Sequence, residues 1–194
     1  MKAMDVFQIW MSGEPSLQLQ KWMGSIVASL PDGSTYTLIA PRNFLENKNV
    51  RFFNVADAVS ALVSVAPYTN EVWSSLVPQT QSDLIRFWWA SSHGNALYLD
   101  CDCQVNKWPE FDKSGLYFST RVPKSPVLDI FSFYVNSELD AIGTIFESII
   151  KEAEREAVAV GEVSYGAAYV VVNAYNKSHL LNKIDSYEIA HYPD

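Results

Sequence analysis

Asp100 and Asp102 stand one residue apart at the end of the apolar run Ala96-Leu97-Tyr98-Leu99. In a regular strand, residues i and i+2 project to the same face, so this spacing sends both carboxylates into one volume. Two anions so close repel each other unless a cation lies between or beside them. Oxygen donors suit Mg²⁺ or Mn²⁺, which binds one or two carboxylates and completes its shell with water and phosphate oxygens. The chemistry the pair offers is a metal holding a diphosphate, although an acidic pair at a strand end is, taken alone, more commonly a solvated turn. Asp83 and Arg86, three apart in a helical pattern, project from one face and can address one ligand together. Their alternative is an intrahelical ion pair on a solvated face, which contributes only a fraction of a kcal/mol.

Composition narrows the ligand. The chain has 22 acidic and 14 basic residues and a formal net charge of -8, and its Lys and Arg form no run. A nucleic-acid backbone is therefore a poor first partner, and an anionic substrate needs its charge met by something else, for which a bound divalent cation is the natural candidate. With 194 residues, 48% of them hydrophobic and 13% aromatic, the chain can bury one substantial core, and its length makes one domain the default. The two cysteines, Cys101 and Cys103, have no sequence-distant partner for a disulfide and no second half for a zinc site, so they read as packing residues in a reducing compartment. Met1 to Trp10 lacks a basic segment followed by a long apolar stretch, and no apolar run approaches the roughly 20 residues of a membrane span. The expectation is a soluble, intracellular, cytoplasmic protein.

These side chains must be positioned by an alternation of strand and helix. Val6 to Trp10 is β-branched and aromatic and is followed by a Ser12-Gly13-Glu14-Pro15 turn. Apolar residues at spacings of three and four predict a helix between Ser16 and Leu30. Tyr36 to Ile39 and Val50 to Val55 read as strands and Ala56 to Val65 as a helix, with Pro67 to Pro78 a loop or broken helix carrying Trp73. Ser82 offers an N-cap with Asp83 in the first turn, and the helix runs to His93 with Gly94 as its C-cap. Ala96 to Asp100 is a buried central strand. Beyond it, Gly115 to Thr120 and Ile130 to Val135 are strand-like, Leu139 to Ala159 is a helix, Ala167 to Asn176 is either, and Tyr187 to His191 is a last strand. Alternating strands and helices predict an α/β fold with a largely parallel sheet. Ligands bind such sheets at the carboxyl ends of their strands, which is where the two aspartates fall.

The stretch SDLIRFWWASSHGNALYLDCDC, Ser82 to Cys103, resembles the sugar-binding region with a DXD motif of a family of bacterial, fungal and viral glycosyltransferases. Ser82, Asp83, Arg86, Gly94, Tyr98, Leu99, Asp100 and Asp102 fall in register with that family's pattern. VFQIWMSGEP, Val6 to Pro15, resembles its opening strand, and the same layout occurs in the clostridial glucosylating toxins. The resemblance covers about the first 110 residues. It implies a single Rossmann-like domain of GT-A type, a mixed, mostly parallel sheet flanked by helices. Residues 1–110 would bind the nucleotide sugar and metal, and 111–194 would form a shortened acceptor-side part.

The resemblance further implies a metal-dependent transfer, with retention, from a uridine diphosphate hexose or N-acetylhexosamine to an unidentified acceptor glycan, protein or modified nucleic acid base. Asp83, Arg86 and Asp102 would be catalytic. Gln8, Ile9, Trp10, Asp83, Arg86, Tyr98 and Asp100 would bind the donor, with Trp10 stacking on the base. Asp100, Asp102 and His191 would hold Mn²⁺ or Mg²⁺. Asn136 would approach the donor, and Gly166-Ala167 corresponds to an acceptor-side loop.

Phe7 replaces the family's usual histidine, and Asn95 replaces a second glycine before the motif strand. His191-Tyr192-Pro193-Asp194 resembles an element that many relatives follow with a closing segment. The expectation is that this closing lid is missing, so that His191 or Asp194 substitutes near the metal, a partner subunit completes the site, or activity is reduced. The competing reading is a catalytically weak or inactive nucleotide-sugar-binding protein or subunit with the same fold. A metal-dependent phosphohydrolase would need further carboxylates or histidines beside the pair.

Overall fold

The computed structural model describes residues 3–66, 73–111, 113–120, 127–136, 139–160, 167–179, 181–184 and 188–191. In chain order the elements are β1 (Asp5–Ile9), α1 (Leu17–Ala28), β2 (Thr35–Ala40), β3 (Val50–Asn54), α2 (Val55–Val65), a 3₁₀ turn at Trp73–Ser75, α3 (Pro78–Ser92), β4 (Ala96–Leu99), β5 (Cys103–Val105), β6 (Gly115–Ser119), β7 (Asp129–Asn136), α4 (Leu139–Val160), α5 (Ala167–His179), β8 (Asn182–Ile184) and β9 (Ile189–His191). Seven strands form one sheet in the order β3-β2-β1-β4-β7-β6-β8, and β5 pairs with β9 in a separate two-stranded ribbon. The pairs from β3 to β4 are parallel, β7 is antiparallel to both β4 and β6, and β6 pairs with β8 in parallel. This is the mixed, mostly parallel sheet expected.

The central strands are covered on both faces, which is why β1, β2 and β4 read as nearly continuous apolar runs. Along β1 the side chains alternate between two cores. Phe7 and Ile9 join Tyr98, Phe133 and the α2, α3, α4 and α5 side. Val6 joins Tyr36, Leu97, Leu99 and the α1 residues Met23, Ile26 and Val27. Gln8 is fully buried among them. Where the family pattern has histidine, Phe7 packs against Trp89 and Tyr98, so the position is filled by core aromatic contacts.

Helix α1 begins at Leu17 with the Ser16 hydroxyl accepting from the Leu19 N–H, and Asn54 caps α2 by accepting from the Ala56 N–H. Three expectations change. Helix α3 begins at Pro78, not at Ser82: proline fits the first helical position because its missing N–H would have no partner there, and this adds a turn ahead of Ser82. Asp83 therefore lies in the second turn, and proximity to the helix terminus is not what places it. Second, the left-handed residue before β4 is Asn95, with φ 64°, and the cap is His93 rather than Gly94. The Asn95 amide donates to the Ala3 carbonyl and accepts from the Tyr134 hydroxyl, which compensates for the unfavourable backbone. Third, the ambiguous Ala167 segment is helical, and β5 and β8 were not anticipated. The last strand keeps Ile189–His191, while Tyr187, residues 67–72 and Gly166 lie outside the described residues. Among the described residues, no helix is long and apolar enough to cross a membrane.

Asn95→Ala loses two side-chain hydrogen bonds and places an ordinary residue at positive φ. Urea denaturation is expected to show a loss of about 2–3 kcal/mol, and Asn95→Gly, which relieves only the backbone part, a smaller one.

Candidate active site

Strand β4 ends at Leu99, and Asp100, Cys101 and Asp102 form the turn into β5. The turn is tied down from three directions. The Asp100 N–H donates to the Phe131 carbonyl on β7 (2.7 Å), and the Asp100 carbonyl accepts from the Cys103 N–H (3.1 Å). The same carbonyl accepts from the Gln8 side-chain amide (2.8 Å), whose oxygen accepts from the Tyr36 hydroxyl (2.5 Å). A buried polar chain thus crosses β2, β1 and β4 and ends on the backbone of the acidic turn. Gln8, implied as a donor contact, has no exposed surface and no part in lining the cavity. It holds Asp100 instead. The Cys101 thiol donates to the Ile9 carbonyl (3.3 Å), and both cysteines are buried, with thiols pushed up by burial, in keeping with a packing role.

Arg86 is the hub of the opposite wall. Its guanidinium approaches the Asp83 carboxylate at 3.1 Å and Asp100 Oδ1 at 3.4 Å. It donates to the Ile130 carbonyl (3.0 Å) and the Ser82 hydroxyl (3.2 Å) and lies 4.3 Å above the centre of the Tyr98 ring. With both side chains 8% exposed, the Asp83–Arg86 pair is not the solvated ion pair of the alternative reading. Burial pushes the Asp83 carboxyl up to about 6; Arg86 pulls it back, while Asp100 and Asp129 repel it further. Asp100 is likewise raised by burial, against the pull of Arg86 and of the hydrogen bond donated by Tyr98 (2.5 Å), with Asp102 adding repulsion.

The third side comes from the ribbon. β5 pairs with β9 so that Cys103 faces His191, which delivers the imidazole to the acidic turn. His191 Nε2 is 3.2 Å from Asp102 Oδ2 and 3.9 Å from Asp100 Oδ2, and the ring stacks on Phe131. One donor atom from each of Asp100, Asp102 and His191 lies within 4.8 Å of the others, and both aspartates are 27% exposed on their side chains. Two carboxylates and an imidazole are a donor set that fits a divalent cation, with Asp100 Oδ1 engaged by Tyr98 and Arg86 and Oδ2 facing the other two ligands.

All of this borders a cavity of about 760 Å³ at the carboxyl ends of β1 and β4. Ile9, Trp10, Asp83, Arg86, Tyr98, Asp100, Asp102 and His191 all line it. Trp10 is half-buried, its indole nitrogen without a partner among the described residues. Asn136 does not reach the cavity: β7 runs antiparallel to β4, with Leu99 opposite Ser132 and Ala96 opposite Val135, so Asn136 lies at the far end of the sheet, where its amide donates to the Lys113 carbonyl. The β7 residues that do line the cavity are its first three, Asp129, Ile130 and Phe131, and Asp129 and Tyr169 on α5 are polar residues there that the sequence did not single out. The one signal for Asp129 was a lone carboxylate within the apolar stretch Val127-Leu128-Asp129-Ile130.

No protein-family model and no curated protein sequence matches the chain. Solved structures do. The PaToxG glycosyltransferase superposes with a TM-score of 0.61 at 14% identity, over 90% of this chain and 69% of that one. The glycosyltransferase GlyE of Streptococcus pneumoniae gives 0.58 at 11% identity, over 96% of this chain and 46% of that one. The galactosyltransferase LgtC, solved with donor and acceptor sugar analogues, gives 0.52 at 12% identity, over 98% and 87%. At these identities the likeness establishes the fold, that of the GT-A glycosyltransferases.

Gln8→Leu leaves the Tyr36 hydroxyl buried without its acceptor and is expected to cost about 2–3 kcal/mol in urea denaturation. Because the two groups act on each other, Gln8→Leu with Tyr36→Phe is expected to cost less than the sum of the single changes. A second expectation concerns pH. Since folding raises the Asp83 carboxyl from 3.8 to about 6, the protonated form favours the fold, and that contribution is lost as pH rises through 6. In metal-free buffer, the melting temperature of Asp83→Asn relative to wild type is expected to rise between about pH 4 and pH 7.

Proposed function

We propose that this protein is a metal-dependent glycosyltransferase that takes a sugar from a nucleoside diphosphate donor, with uridine diphosphate as the nucleotide and retention at the anomeric carbon. The observation that carries the reading is the convergence of Asp100, Asp102 and His191 in a cavity shared with the buried Asp83–Arg86 pair, on a GT-A fold.

Asp100, Asp102 and His191 would hold the cation, and the nitrogen in that set favours Mn²⁺ over Mg²⁺. When bound, the cation supplies Lewis-acid stabilisation to a departing diphosphate. The remaining work falls to the chain's own groups. Arg86 is preorganised: two carboxylates, a carbonyl and an aromatic face fix its position before any ligand arrives, so its charge faces the cavity without reorganisation. Asp83, only 6% exposed, offers a carboxylate that can accept hydrogen bonds from sugar hydroxyls beside the scissile bond. Trp10 at the rim offers a planar face to the base, and its indole N–H offers a donor. Tyr98 orients Asp100 through its hydroxyl and supports Arg86 through its ring.

Mn²⁺ with uridine diphosphate is expected to raise the melting temperature of the wild type by about 5–10 °C at ligand concentrations near a hundred times Kd. Asp102→Ala is expected to remove that shift. The absence of a shift with any nucleotide diphosphate would sink the donor-site reading. Diphosphate release from a panel of nucleotide sugars then separates turnover from donor binding alone.

A further inference from the structure

At the start of β7, the Ile130 and Phe131 backbone serves Arg86 and Asp100, but the Asp129 side chain and Tyr169 on α5 have no role in the donor reading. Asn173 on α5 grips Leu128 at both backbone groups: the Leu128 N–H donates to its side-chain oxygen (2.9 Å) and the Leu128 carbonyl accepts from its amide nitrogen (2.9 Å). The same nitrogen donates to the Tyr169 carbonyl one turn earlier (3.0 Å). This clamp fixes Asp129, the next residue of β7, relative to Tyr169. Asp129 is 7% exposed and holds its own turn by accepting from the Ile130 N–H (2.7 Å) and the Phe131 N–H (3.3 Å). Tyr169 is 39% exposed, yet it lines the same cavity as Asp129.

An exposed aromatic side chain and a buried carboxylate lining one cavity are a pairing suited to a sugar ring. The ring's C–H face covers the aromatic surface while its hydroxyls donate to the carboxylate. A ligand delivered from solvent after the donor needs one exposed contact and one deep contact, and this pair supplies both. Asp83, Asp100, Asp102 and Asp129 all line the cavity, and carboxylates gathered on its walls disfavour a second anionic ligand beside the donor.

Resting on the glycosyltransferase reading, we infer that Asp129 and Tyr169, locked together by Asn173, form the acceptor subsite, and that the acceptor is a neutral saccharide.

The test uses the full chain with Mn²⁺ and whichever uridine diphosphate sugar it hydrolyses. The probes are a panel of p-nitrophenyl α- and β-hexosides and N-acetylhexosaminides, with serine- and threonine-containing peptides as the contrasting class. At least one glycoside is expected to be glycosylated. Tyr169→Ala is expected to raise the acceptor KM about tenfold or more and the donor KM less than about twofold, with Tyr169→Phe restoring the acceptor KM because the ring is retained. Asp129→Asn keeps an oxygen for the two backbone N–H groups and is expected to fold while raising the acceptor KM. Donor hydrolysis with no glycoside accepted, transfer to peptides alone, or an equal rise of donor and acceptor KM in Tyr169→Ala overturns the subsite and leaves the donor reading standing. Absence of both donor hydrolysis and nucleotide binding overturns the donor reading, and the subsite falls with it.

Discussion

Burying Arg86 beside an acidic turn requires its charge to be met from several sides at once, and Asp83, Asp100, the Ile130 carbonyl and the Tyr98 ring each meet part of it. Helix α3, β4 and β7 are thereby fixed to one another at the end of the sheet where the cavity opens. Burial, with repulsion from neighbouring carboxylates, raises Asp83 and Asp100 against the pull of Arg86, so the cavity has a use for further positive charge. The strain lies in the site and the compensation in the frame: two apolar cores and a sheet whose central strands are covered on both faces.

Much of this frame was legible in the sequence because parallel central strands must be apolar on both faces and the helices that cover them must carry an apolar stripe. The strands around Phe7, Leu38 and Leu97 and the helix after Ser16 follow from that alone. The site was legible to the extent that motif spacing fixes contact: Asp83, Arg86, Tyr98, Asp100 and Asp102 meet as expected. Where spacing was silent, inference failed in instructive ways. Gln8 was implied at the donor by the resemblance of its strand, but strand alternation turns it to the other face, where it is fully buried against Tyr36. Asn136 failed because strand direction was unknown: once β7 runs antiparallel, its first residue and not its last stands at the site. His191 was named as a substitute for the family's closing segment, and the β5–β9 pairing supplies the physical reason it reaches the acidic turn. The start of α3 was misplaced because a serine four residues after a proline looked like the stronger cap.

The polar chain from Tyr36 through Gln8 to Asp100 also shows what separates a scaffold from a site. Its two side chains, of Tyr36 and Gln8, are fully buried within the apolar core, and what they add to packing is direction. A hydrogen bond to a carbonyl fixes the peptide plane, and with it the angle at which the neighbouring carboxylate leaves the backbone, which packing alone does not constrain.

Among the described residues the ribbon of β5 and β9 pairs three residues on each strand and is extended by the Asn106 and Lys107 N–H groups donating to the Glu188 carbonyl, and a two-stranded ribbon of that size has little stability of its own. The three members of the triad are therefore mounted differently. Both aspartates ride on a turn fastened to the central sheet, whereas the imidazole rides on an arm whose seat depends on a short ladder and on stacking against Phe131. The aspartates are thus anchored through the central sheet and the imidazole through a peripheral ribbon, so that any loosening of the ribbon would part the donor set at His191 first.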